Sequence, residues 1–253
     1  MFHTAITEYL KKHSFGRFTP KAVLFDMDGV LYDSMPNHAI AWQQSMQQFG
    51  IHMTAADSYA TEGARGVDTI VKFVKQQQNK DISLDEAQRM YDVKADIFHH
   101  MPVAPIFPGV KELMAKIKAA GMQICVVTGS GQRPLLQRLV DDFEGFVDAE
   151  HIVSAYDVDR GKPAPDPYLM GMKKTECQHP YEAIVVENAP LGVAAGVAAQ
   201  CFTVAVNSGP LPNSVLAEQG ASIVLPDMLT LASGFEQLLA EAGKQGNQDL
   251  RLL

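Results

Sequence analysis

The segment FDMDGVLYDS, residues 25–34, sets Asp26 and Asp28 two positions apart, directly after an apolar run and before Gly29. Two carboxylates in one confined site repel, so the pair needs a cation or shared protons. Gly29 lets the chain turn sharply behind them. So short a motif also reads as an Asp-rich turn with solvated side chains. VVTGSG places Thr128, Gly129 and Ser130 after a second apolar run. A hydroxyl and free amides in a glycine turn ahead of a helix can cradle an anion, although the same string makes an ordinary strand-to-helix turn. Pro134 stands where GxGxxG needs its last glycine, which argues against a dinucleotide site. In RGKPAPDPYL, Lys162 sits in a proline-stiffened loop, where it can neutralise a transferring phosphoryl group or simply stand in solvent. VVENAPLG ends a further run with Glu187 and Asn188, hard oxygen donors suited to Mg²⁺. Asn188 can equally cap the helix that begins near Pro190.

These residues need a scaffold that brings distant segments to one edge. Short apolar runs at 22–26, 123–127, 151–155, 183–187, 202–206 and 222–226 read as strands covered on both faces. Helical patterns at 109–120, 131–141, 165–175, 190–200 and 229–242 alternate with them, which predicts a parallel sheet wrapped by helices. Ligands bind such sheets beyond the carboxyl ends of the strands, where the candidate residues fall. Residues 35–102 break the rhythm with helical patterns only, flanked by Ser34 and Pro36 on one side and Pro102, Pro105, Pro108 and Gly109 on the other. They read as an inserted helical module. The expected division is a core of 1–34 and 103–253, with residues 1–20 an added helical extension, and an insert of 35–102.

Composition narrows the function. A length of 253 residues with 47% hydrophobic and 20% charged residues supports a real core. The net charge of −8, with no basic block, argues against a nucleic-acid partner. Three cysteines without CxxC spacing speak against a disulfide framework or zinc site and suit a reducing cytoplasm. No apolar run suggests a secretory signal or a membrane span. A cytoplasmic protein without a membrane partner is expected; its oligomeric state is left open, a monomer included.

Four successive strand ends carrying Asp/Asp, Thr/Ser, Lys and Glu/Asn resemble the haloacid dehalogenase superfamily, most closely its β-phosphoglucomutase-like branch. The resemblance covers roughly residues 20–230. It implies an α/β fold: a three-layer, Rossmann-like parallel sheet core with a small inserted helical cap. It further implies that Asp26 is a nucleophile forming an aspartyl phosphate and that Asp28 is the acid and base. Thr128 with the Gly129 and Ser130 amides would hold phosphoryl oxygens, and Lys162 would bridge charge. Mg²⁺ would sit on the Asp26 carboxylate, the Asp28 carbonyl and Asn188, with Glu187 nearby or joined through water. The dehalogenases themselves lack the second aspartate, so Asp28 points to phosphoryl chemistry.

The chain departs from the branch in two places. Asn188 stands where the mutases usually carry Asp, which removes a negative charge beside the metal. In TEGARGVDTI, Glu62 replaces a basic residue, Gly66 an Arg, and Arg65 sits one step earlier. Glu62 is expected either to reach the metal when the cap closes or to stay a solvated loop acid. The first outcome leaves room only for a small phosphorylated substrate, as in similar members that hydrolyse inorganic pyrophosphate. A Mg²⁺-dependent phosphohydrolase is therefore expected ahead of a sugar-phosphate mutase and of a non-catalytic binding module. His38, near the hinge, is expected beside the acid/base Asp28 or in a structural role.

Overall fold

The sheet begins after a helix that lies ahead of the main resemblance. The computed structural model describes residues 1–246; residues 247–253, assigned above to the core, lie outside the described residues. Helix α1 (Phe2–His13) precedes strand β1 (Ala22–Phe25). Four helices then follow without a strand: α2 (Met35–Gln48), α3 (Ala55–Ala60), α4 (Gly66–Gln78) and α5 (Leu84–His99). The chain resumes alternation with α6 (Val110–Ala119), β2 (Gln123–Val127), α7 (Arg133–Asp142), β3 (Ile152–Val153) and α8 (Asp166–Lys174). It ends with β4 (Ala183–Glu187), α9 (Pro190–Ala198), β5 (Phe202–Val206), α10 (Asn213–Glu218), β6 (Ile223–Leu225) and α11 (Met228–Gly246).

The six strands form one parallel sheet in the order β3-β2-β1-β4-β5-β6. Alternate residues of β1 face opposite layers, as a period of two demands. Val23 and Phe25 join Leu113, Met114, Leu231 and Phe235 on one face. Leu24 joins Tyr168, Met172 and Ala195 on the other. Burial on both faces is why these strands read as unbroken apolar runs. α1 adds Phe2, Ile6, Tyr9 and Leu10 to the first face and packs along α11.

The helices from 35 to 99 have a core of their own, in which Trp42, Met46, Ile70, Phe73, Ala87 and Met90 meet. Capping fixes where two of them start. Thr54 and Asp57 form a reciprocal capping box on α3, and the Ser83 hydroxyl accepts the Glu86 amide on α5. One six-residue helix, α10, falls outside the sequence expectations. It is too short to show a helical period.

Candidate active site

Sheet register assembles the site. Phe25 of β1 pairs with Val126 of β2 and Val186 of β4, so Asp26, Val127 and Glu187 emerge together at the carboxyl edge. The Asp26 amide continues the ladder to the Val186 carbonyl at 3.0 Å, which holds this carboxylate at the sheet's rim. Asp26 is buried. Lys162 arrives from the loop before α8, and its ammonium donates to Asp26 Oδ1, to Glu187 Oε1 at 2.7 Å and to the Val127 carbonyl at 3.0 Å. Lys162 is therefore no surface lysine; a buried ammonium among anions is held well above its ordinary pKa, against the pull of desolvation.

Glu187 is fully saturated. Oε1 accepts Lys162 and the Tyr168 hydroxyl (2.6 Å), while Oε2 accepts the amides of Asn188 (3.0 Å) and Ala189 (3.3 Å). Expected beside the metal or joined to it through water, it links Lys162 to the start of α9. Tyr168 was missed by sequence reasoning, since an aromatic on a core-facing helix carries no distinct signal.

Asn188 presents the more telling contact. Its Nδ2 donates to Glu62 Oε1 at 2.6 Å, across 126 residues of chain, and its Oδ1 is buried with no hydrogen-bond partner. Glu62 is buried here rather than solvated. Gly29, at φ +77°, makes the approach feasible: a Cβ there would fall 2.0 Å from Asn188 Nδ2 and 2.7 Å from Glu62 Oε1. Burial, reinforced by Asp26, Glu187 and Asp28, raises the Glu62 carboxyl well above its usual range, while the Asn188 bond opposes this. Burial likewise pushes Asp26 upward, with Glu187 adding to it and Lys162 opposing. An orphaned amide oxygen among under-compensated carboxylates is the donor set of a hard divalent cation. Among the described residues no three His, Cys, Asp or Glu side chains converge as a ligand cluster. A cation here would draw on Asn188 as well as on carboxylates.

Asp28 turns towards the insert. The Ser34 hydroxyl donates to its Oδ1 at 2.5 Å, and His38 Nε2 lies 3.1 Å from the same oxygen, at an angle that leaves this nitrogen without a formal hydrogen bond. Burial alone would raise Asp28; His38, Ser34 and Lys94 outweigh it and hold the carboxyl at about 2. His38 Nδ1 is 2.6 Å from Lys94 Nζ, and its ring stacks on Phe98 with centroids 4.0 Å apart. Lys94 is 2% exposed, its ammonium over the rings of Phe98, Trp42 and Tyr91 at 4.8, 5.2 and 5.8 Å. Burial lowers its pKa to about 7. Lys94 was not singled out in the sequence. The signal was there: it occupies a core position in the stripe Ala87, Met90, Lys94, Phe98 along α5.

Asp26, Asp28, His38, Glu62, Lys94, Thr128, Gly129 and Ser130 all line one pocket of about 60 Å³. The Thr128 hydroxyl accepts the Ser130 amide at 3.0 Å, which shapes the turn. Arg65, expected on the substrate side, does not line this pocket. It pairs with Asp68 on its own helix and opens onto a separate cleft.

The chain is similar to known proteins in sequence and fold. Residues 20–200 match the model of the haloacid dehalogenase-like hydrolases. Hexitol phosphatase A of Escherichia coli K12 is 32% identical over 188 residues, covering 74% of this chain and 83% of the relative. Beta-phosphoglucomutase of Bacillus subtilis is 25% identical over 75% of this chain and 84% of its own. A solved structure from Bacteroides vulgatus, described provisionally as a beta-phosphoglucomutase, superposes with a TM-score of 0.91 and 44% identity, covering 95% of this chain and 98% of that one. The family match over residues 20–200 and the relative at 32% identity show that the chain belongs to the haloacid dehalogenase-like hydrolases.

Proposed function

We propose that the protein is a Mg²⁺-dependent phosphohydrolase working through an aspartyl phosphate on a small substrate, with inorganic pyrophosphate the best fit, and that residues 35–102 act as its cap. The observation that carries this reading is Glu62 of the insert, buried in the site against Asn188. It supplies the negative charge that Asn188 lacks and fills space a sugar would need.

In the first step an Asp26 oxygen attacks phosphorus and the bond to the leaving oxygen breaks. Lys162, Thr128 and the Gly129 and Ser130 amides hold the phosphoryl oxygens. In the second step water attacks the same phosphorus, its proton passes to Asp28, and Asp26 is released with inorganic phosphate. Asp26, the Asp28 carbonyl, Asn188 and Glu62 would hold Mg²⁺, which would supply charge neutralisation for the transferring phosphoryl group. An Asp28 kept near 2 by its neighbours stays ionised, open to accept a proton but a weak reservoir of protons to donate. That suits a phosphate leaving group, which departs without being protonated, better than a sugar alkoxide. Lys94, with its ammonium facing the pocket beside His38, suits a second phosphoryl group. The three cysteines are buried free thiols, in keeping with a reducing cytoplasm.

A second reading, β-phosphoglucomutase-type transfer between sugar hydroxyls, is supported by the 44% identity to the Bacteroides vulgatus structure. Hydrolysis of hexitol phosphates is suggested by the E. coli relative's name. Steady-state assays with Mg²⁺ over pyrophosphate, β-glucose 1-phosphate, hexitol phosphates and aryl phosphates separate these. Fast phosphate release from pyrophosphate, with inert β-glucose 1-phosphate, is the expected result. Glucose 6-phosphate formed without free phosphate would overturn it in favour of the mutase.

A further inference from the structure

The insert meets the core through residues 61–66, and the core surface beneath is built of glycines. A Cβ on Gly129 would come within 2.8 Å of the Gly63 carbonyl oxygen; one on Gly161 would fall 2.7 Å from Arg65 Cγ and 3.3 Å from its Cδ. Gly29 needs glycine for its positive φ, and Gly129 belongs to the phosphate turn. Gly161 is different. Its φ lies outside the left-handed region, and it does not line the pocket. Backbone conformation therefore gives no reason for glycine there, whereas Arg65 does.

Arg65 is partly held in place. Its Nε and a terminal nitrogen pair with the two oxygens of Asp68 at 2.8 and 3.0 Å, a fork that fixes the guanidinium and hence the stem behind it. Both partners are partly exposed, so the restraint is moderate. We propose that Gly161 and the Arg65–Asp68 pair form the seat on which the insert closes. The Arg65 stem occupies the notch left by the missing side chain, which sets the loop so that Glu62, three residues away, reaches Asn188. The notch adjoins Lys162, so the insert is registered against the site's own cation. Gly161 and Arg65 are positioning residues, and this role rests on the reading of the insert as a cap.

Trp42, the only tryptophan in the sequence, lines the pocket and reports closure without turnover. Acrylamide quenching of the full chain is measured together with kcat/KM. Gly161→Ala should raise the Stern–Volmer constant about twofold and lower kcat/KM about fivefold, the scale of an overpacked contact that shifts a two-state equilibrium. Gly161→Ala/Arg65→Ala, judged against Arg65→Ala alone, should return both towards that reference. Quenching unchanged in Gly161→Ala, or a defect not relieved by removing the Arg65 stem, overturns the seat. If Gly161→Ala fails to fold but the double variant folds, the seat is supported. If neither folds, alanine harms the core itself and the seat is overturned. A wild type inert on every phosphate substrate, with quenching that still follows the rescue, overturns the assigned reaction and leaves the seat standing.

Discussion

Glu62 and Asn188 show how a pair of substitutions can exchange a charge between two parts of a chain. On the proposed reading Asn188 keeps an oxygen donor without a carboxylate, and Glu62 of the insert, 2.6 Å from its Nδ2, supplies one. Glu62→Gln preserves size while deleting the charge. It should raise the Mg²⁺ concentration for half-maximal activity by about 10–100-fold, the range seen when a group supporting a metal site is removed. A magnesium titration of initial rates checks this; an unchanged requirement would mean that Glu62 does not serve the cation. At this scale the sequence was legible where chemistry-bearing residues follow an apolar run, as Asp26, Asp28, Thr128, Glu187 and Asn188 do, and in the proline-stiffened loop of Lys162, whose ammonium meets Asp26 and Glu187 at the same edge of the sheet. Lys94 and Ser34 were not. A lysine in mid-helix is ordinarily solvated, and only the stripe around it marks this one as buried.

At the scale of elements, α9 is seated on Glu187. The carboxylate accepts two amides at the turn into the helix, and Gly192 lies so close that an added Cβ would fall 1.8 Å from Glu187 Oε1. Gly192→Ala must displace the carboxylate that anchors Lys162. It should cost about 1–3 kcal/mol as an overpacking change, read as a lower midpoint in urea unfolding. Unaltered stability would show that α9 can slide away from Glu187. The strands stood out in the sequence because burial on both faces leaves long apolar runs, and edge strand β3 fell from an expected five residues to two. It pairs on one side only, with β2. The order of strands could not be read, since pairing joins segments far apart in sequence.

For the whole molecule, excess buried carboxylate couples folding to pH and to the cation. Burial raises Asp26 and Glu62, so the folded chain holds more protons than the unfolded one between their ordinary values and the raised ones. Stability then falls as pH rises through that window. Asp28 acts in the opposite sense: held at about 2, it stabilises above its ordinary 3.8, and that contribution is lost as pH drops towards 2. A divalent cation competes with the protons on Asp26 and Glu62, so its stabilisation grows with pH. With EDTA, Asp26 and Glu62 pull Tm down as pH rises from about 5, while Lys94, held at about 7, and His38, lowered by burial, pull it the other way. The direct reading is therefore the cation's effect: added Mg²⁺ should raise Tm more at about pH 8 than at about pH 5. Equal magnesium shifts at both ends would contradict this. The N-terminal helix was visible in the sequence as a helical extension ahead of the first strand. Its berth on α11 was not, because that contact is set by the tertiary fold.

The central claim is that Asp26 bonds covalently to phosphorus. Rapid quenching during turnover of pyrophosphate with Mg²⁺, followed by borohydride reduction and peptide mass analysis, tests it directly. Reduction of an acyl phosphate should convert Asp26 to homoserine, only when substrate and Mg²⁺ are both present. Conversion at another residue, or an Asp26→Asn enzyme that turns over like the wild type, would contradict the account.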